Sequence, residues 1–69
     1  MTYREIEETI AGRDLPLAGE NENGENVVVG CGYTEDGEQY YYITTFQNNG
    51  WTRTNEYYAD GTISETYEK

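Results

Sequence analysis

Three dipeptides, Asp36-Gly37, Asn49-Gly50 and Asp60-Gly61, punctuate the second half of this 69-residue chain every 11 to 13 residues. Each offers residues that accept positive φ, the backbone state that tight hairpin turns demand, and each lies between runs rich in β-branched and aromatic side chains. From Asn26 onward the chain is therefore expected to be an antiparallel meander of four strands, at about 26–34, 39–47, 51–58 and 62–68.

The N-terminal segment carries a different period. Tyr3, Ile6 and Ile10 fall at i, i+3 and i+7, one apolar stripe along a helix. Thr2 is a favourable N-cap, and Glu5 three residues later completes a T-x-x-E capping box. Gly12 stops the helix and Pro16 prevents its continuation, so a helix is expected at about 3–11. Arg4 can pair with Glu8 one turn on, while Glu5 and Glu8 repel, which leaves little net local electrostatic support. A helix this short forms only by packing on something else. The expected architecture is α+β: one short N-terminal helix on a four-stranded β-meander, with residues 1–69 as a single domain.

Between these parts, Leu15-Pro16-Leu17 should run extended and tuck both leucines under the fold. Residues 18–25, Ala-Gly-Glu-Asn-Glu-Asn-Gly-Glu, are polar, acidic and aperiodic, and are expected to form a mobile loop. An EF-hand is excluded by spacing. With Gly24 as the sixth position, Gly19 and Gly30 would occupy the first and twelfth, where carboxylates are required.

If Asp36 and Gly37 form a two-residue turn, Tyr33 pairs with Tyr40, Cys31 with Tyr42, Val29 with Thr44 and Val27 with Phe46. In the last hairpin the same rule pairs Tyr58 with Ile63, Thr54 with Tyr67 and Glu56 with Glu65. The middle turn can hold two residues or, with a bulge, the three residues Asn48-Asn49-Gly50. The bulged form is preferred because it places Tyr58, Ile63 and Tyr67 on the face of Val27, Val29 and Phe46. One helix covers one face of a sheet. With the helix on the Val27/Val29/Cys31/Tyr42/Phe46 face, Tyr41, Trp51 and Tyr57 are expected to make an exposed aromatic face beside Ile43 and Arg53, with aromatic rings lying over Gly30 and Gly32. The edge strands would be 26–34 and 62–68, and a homodimer packed through Tyr41, Ile43 and Trp51 would supply burial that so short a chain lacks.

Composition restricts the chemistry. The chain has no histidine, one cysteine (Cys31) and one serine (Ser64), so neither a nucleophile–base pair nor a zinc set is available; no catalytic residue, metal or cofactor is expected. Cys31 reads as a small core residue. The opening Met1-Thr2-Tyr3-Arg4-Glu5 lacks a basic flank before an apolar stretch, and the longest aliphatic run is Val27-Val28-Val29. Neither a signal peptide nor a membrane span is expected, and a cytoplasmic location follows.

Fourteen acidic against four basic residues give a net charge of −10. That disfavours direct nucleic-acid binding and points to a basic protein surface as partner. The candidate contact residues are Glu5, Glu7 and Glu8 on the helix, Glu20, Glu22 and Glu25 in the acidic loop, and Glu35, Asp36 and Glu38 around the first turn. Carboxylates held at phosphate-like spacing would imitate a nucleic-acid backbone and occupy the basic channel of a nucleic-acid enzyme.

In size, acidity and lack of catalytic side chains, the chain resembles the small phage-encoded inhibitors known as anti-CRISPR proteins, several of which act as DNA mimics. The resemblance is one of size and composition, with no shared motif and no residue roles to carry over. It implies a non-enzymatic inhibitor or adaptor that blocks the nucleic-acid site of a CRISPR-type defence complex in the host cytoplasm. A second, local resemblance starts from Gly50-Trp51 and Tyr57-Tyr58-Ala59-Asp60-Gly61-Thr62, which look like the G-W…Y-Y-x-D-G pattern of choline-binding cell-wall repeats. It implies a small module that uses aromatic side chains to bind a choline-like cation, a glycan or a peptide.

Overall fold

The computed structural model describes residues 2–69. Helix α1 (Tyr3–Ile10) is followed by five strands, β1 (Leu17–Glu20), β2 (Asn26–Tyr33), β3 (Gln39–Phe46), β4 (Thr52–Tyr58) and β5 (Ile63–Glu68). The strands form one antiparallel sheet in chain order, a meander with a helix on one side. The α+β class stands, with five strands in place of four. Among the described residues no helix is long and apolar enough to cross a membrane.

The helix begins and ends where its local chemistry dictates. Thr2 accepts a hydrogen bond from the Glu5 backbone N–H at 3.2 Å, the threonine half of the capping box. Gly12, at φ 75°, turns the chain away after Ile10. Ile6 and Ile10 are buried against the sheet, and Tyr3 lays its ring on Tyr41, with centroids 4.8 Å apart. Burying each isoleucine contributes on the order of 2 kcal/mol. With Tyr41 they form a three-residue core that Leu15, Leu17, Val29, Cys31, Ile43 and Tyr57 extend. Both leucines of the Leu-Pro-Leu segment thus pack inward, and Cys31 takes its expected place as a small core residue.

All four hairpins close in the same way. The first residue of each turn donates its N–H to the carbonyl of the fifth, and the glycine at the fourth position donates back to the carbonyl of the first: Asn21 to Glu25, Thr34 to Glu38, Gln47 to Trp51 and Tyr58 to Thr62, all between 2.8 and 3.1 Å. Gly24, Gly37, Gly50 and Gly61 have φ of 76°, 85°, 89° and 92°. This is the three-residue loop in which a left-handed glycine closes the turn with a bulge. The bulged form expected at Asn48-Asn49-Gly50 is therefore present there, and it also replaces the two-residue turns expected at Asp36-Gly37 and Asp60-Gly61.

That single extra residue moves the register by one position. Cys31 faces Tyr41, Val29 faces Ile43 and Val27 faces Thr45, and in the last hairpin Tyr57 faces Ile63 and Arg53 faces Tyr67. Side chains alternate along a strand, so a shift of one exchanges the two faces. Tyr41, Ile43 and Tyr57 lie under the helix with Val27 and Val29, whereas Tyr42, Phe46 and Tyr58 lie on the opposite face. Glu56 faces Ser64 and Glu65 faces Asn55, which separates the two carboxylates that a two-residue turn would have paired.

The segment expected as a mobile loop at 18–25 is ordered. Its first part belongs to β1, which pairs with β2 from Leu17–Val29 to Glu20–Asn26. The rest is the fourth turn, held by the Asn21 side chain, whose Oδ1 accepts from the backbone N–H groups of Asn23 and Glu25 at 3.0 Å each. Residues 26–34 are accordingly interior, and the sheet edges are β1 and β5.

Candidate protein-binding surface

The helix leaves one face of the sheet open. Along it run Val28, Gly30 and Gly32 on β2, Tyr40, Tyr42, Thr44 and Phe46 on β3, and Thr54, Glu56 and Tyr58 on β4. The glycines give this face its shape. A Cβ on Gly30 would overlap the Tyr42 ring, and one on Gly32 would meet Tyr40 Oη at 2.7 Å, so both tyrosines lie down on bare backbone. Tyr40 and Tyr58 pair across the strands with centroids 5.2 Å apart, and Glu56 sits opposite Tyr42. Loss of solvent, and then the neighbouring Glu56 carboxylate, hold the Tyr58 phenol above the ordinary tyrosine range. Thr44 and Thr54 hydroxyls meet at 3.1 Å in the middle of the face.

This is an aromatic surface built from residues other than those the two-residue register selects. Tyr41 is 6% exposed and belongs to the core; burial first, then Tyr3 and Glu7, raise its phenol pKa. Tyr57 also packs on the core. Of the three aromatic residues expected to be exposed together, only Trp51 is exposed, in the β3–β4 turn, where Lys69 Nζ stands 5.7 Å from its ring. Tyr41, Ile43 and Trp51 therefore do not form one exposed surface, because Tyr41 is buried and Ile43 packs against the same core.

The acidic residues divide among three places. Glu5, Glu7 and Glu8 are exposed on the helix. Glu20 and Glu22 are exposed at the end of the sheet that holds the β1–β2 and β3–β4 turns. Glu35, Asp36 and Glu38 are exposed at the other end, in the β2–β3 turn. The strands between these ends are eight residues long, about 26 Å at 3.3 Å per residue. The expected acidic residues thus form separate groups instead of one row. Among the described residues the only ion pair is Arg4 Nε to Glu8 Oε1 at 3.8 Å, with both side chains in water, where such a pair contributes little.

Glu25 differs from the other acidic candidates. Its Oε1 accepts from Asn21 Nδ2 at 3.0 Å and its Oε2 from the Asn48 backbone N–H at 2.9 Å, so one carboxylate joins the β1–β2 turn to the β3–β4 turn. The Asn21 amide first and the Asn48 N–H second lower its pKa below the ordinary glutamate value. A lowered pKa contributes stability that is present above the unfolded value, near 4.3, and is lost as pH falls through the folded one. Glu25→Gln turns an NH2 toward one of the two donors. It is expected to lower the melting temperature at pH 7, and the difference from the parent should shrink steadily below about pH 4.5. Comparing the two proteins cancels the repulsion among the remaining acids; a gap that persists unchanged at pH 3 would show that Glu25 acts through packing alone.

Among the described residues no three His, Cys, Asp or Glu side chains stand close enough to hold a metal ion. Neither a family model, nor a curated protein, nor a solved structure matches this chain.

Proposed function

We propose that this protein is a non-enzymatic acidic inhibitor or adaptor that binds a basic protein surface and competes there with nucleic acid. The observation that carries this reading is the uncompensated charge: fourteen acidic side chains, one exposed ion pair among the described residues, and acidic groups at both ends of the sheet. A field of this kind attracts a basic cleft over many ångströms and raises encounter rates. The long dimension of the molecule, 34 Å, is close to one turn of duplex DNA, which supports occupation of a nucleic-acid channel. The nucleic-acid site of a CRISPR-type effector is the instance suggested by the resemblance to anti-CRISPR proteins.

The test is a panel of purified, guide-loaded CRISPR-type effectors, each assayed for target-DNA binding with and without this protein. For a susceptible effector, inhibition should be strong at 50 mM salt and weak at 500 mM, since the screening length falls from about 14 to about 4 Å. Excess DNA should displace the inhibitor. Inhibition unaffected by salt, or an effector that holds DNA and this protein together, would refute charge mimicry; no susceptible effector would refute the choice of target.

The open face supports a second reading, a binding module for a cation, a glycan or a peptide. Its residues would be Tyr40, Tyr42, Tyr58 and Glu56, three aromatic rings beside a carboxylate.

A further inference from the structure

The side of the sheet that carries the helix is not fully covered by it. Between α1 and the strands lies a pocket of about 340 Å³, walled by Ile6, Ile10, Val27, Val29 and Ile43, with Arg53 as its charged residue. That size falls at the lower end of small-molecule sites, which are likewise mostly apolar with a few polar groups. Arg53 is the unusual component. Its Nε is buried and has no hydrogen-bond partner, alone in this respect among the described residues. Orphaned buried donors are rare in folded proteins and mark a missing partner.

The acidic residues of the chain do not supply that partner. No carboxylate lies within ion-pair distance of Arg53, although the molecule carries fourteen. Glu25, whose charge reaches it, is engaged by Asn21 and Asn48. Tyr67, opposite Arg53 across β4 and β5, donates its hydroxyl to Glu65 and stands close enough to feel the Arg53 guanidinium, but it leaves Nε without a partner. A second basic residue stands close by: Arg13 lines an adjoining hollow of about 400 Å³ that shares Val27 and Val29 with the first. Of the two, the second has Glu20 beside Arg13 in its lining, whereas the first is the apolar recess with no acidic residue in its lining.

We infer that this recess binds a small organic monocarboxylate, its apolar body between Ile6, Ile10 and Ile43 and its carboxylate on the Arg53 guanidinium. A planar guanidinium pairs with a carboxylate through two parallel hydrogen bonds, which favours this anion over a halide. A single charge is specified because one guanidinium in an apolar wall offers too little to desolvate a dianion. The Asn55 amide, also in the lining, provides a further donor. A recess of this size admits the body of a medium-chain or single-ring acid. This site is independent of the charge-mimic reading, since it uses the opposite sign of charge and the face away from Tyr40 and Tyr58.

Octanoate, with octan-1-ol as its uncharged counterpart, tests the inference by methyl-resolved NMR titration of the full chain. Octanoate should shift the methyl signals of Ile6, Ile10, Val29 and Ile43 and the Arg53 Nε–H signal, and should bind at least about tenfold more tightly than octan-1-ol. Arg53→Met keeps the apolar stem and should abolish that preference, while Arg53→Lys should keep part of it. If Arg53→Met does not fold, the two ligands compared on the parent protein still decide. Unmoved methyl signals at millimolar octanoate, equal binding of acid and alcohol, or a preference that survives Arg53→Met would each overturn the assignment.

Discussion

Ile6→Ala is expected to cost about 3 kcal/mol and to leave a large fraction of the chain unfolded at physiological temperature. Ile6 is 1% exposed and is the largest fully buried side chain among the described residues. It joins α1 to Tyr41 and the centre of the sheet. Truncation removes transfer free energy and leaves a cavity that a sheet of fixed register cannot close. A domain of this length has roughly 3 to 10 kcal/mol in all, so the loss is a large share of the total. Urea unfolding followed by circular dichroism should show the midpoint falling by about 2 M, taking a slope near 1.5 kcal/mol/M. A fall under about 0.5 M would mean that α1 contributes little to the fold.

The largest functional effect is expected from reversing Glu35, Asp36 and Glu38 to lysine together, which changes the net charge from −10 to −4. All three are exposed, and Gly37, on which the turn depends, is untouched. The fold should survive. Association with a basic partner should slow by on the order of 100-fold, because the steering field weakens and three local contacts become repulsive. Alanine at both Tyr40 and Tyr58 is the contrasting change on the open face, and should matter far less. If the tyrosine pair proves decisive and the charge reversal does not, the aromatic module becomes the better reading. Tyr57 is unsuitable for this comparison, since its ring packs on the core.

Local signals in the chain were legible where one residue type has one structural use. Thr2 and Gly12 bound the helix, and the Asx-Gly pairs at 36–37, 49–50 and 60–61 mark turns, all where the structure has them. Asn23-Gly24 has the same character but follows Leu17-Ala18-Gly19-Glu20, a strand with no β-branched or aromatic residue to announce it. β1 exists because the edge of β2 needed a partner, which is a tertiary reason. The faces were illegible for a different cause. Two- and three-residue turns share their Asx-Gly signature, and the choice between them decides whether Tyr41 or Tyr42 enters the core. The tie from Glu25 to Asn48 spans two turns far apart in the chain, so no local pattern contains it.

The common length of the four turns governs which changes the chain can absorb over evolutionary time. Removing one residue from any loop would rotate every following strand by half a period, exposing buried side chains and burying exposed ones through the rest of the molecule. A substitution within a loop disturbs a few atoms; a single-codon deletion there rewrites the whole interior. Sequences descended from the same ancestor should therefore keep the side-chain acceptors that Asn49 and Asp60 offer to the Trp51 and Thr62 N–H groups, while the interval between successive turn glycines changes by even numbers or not at all.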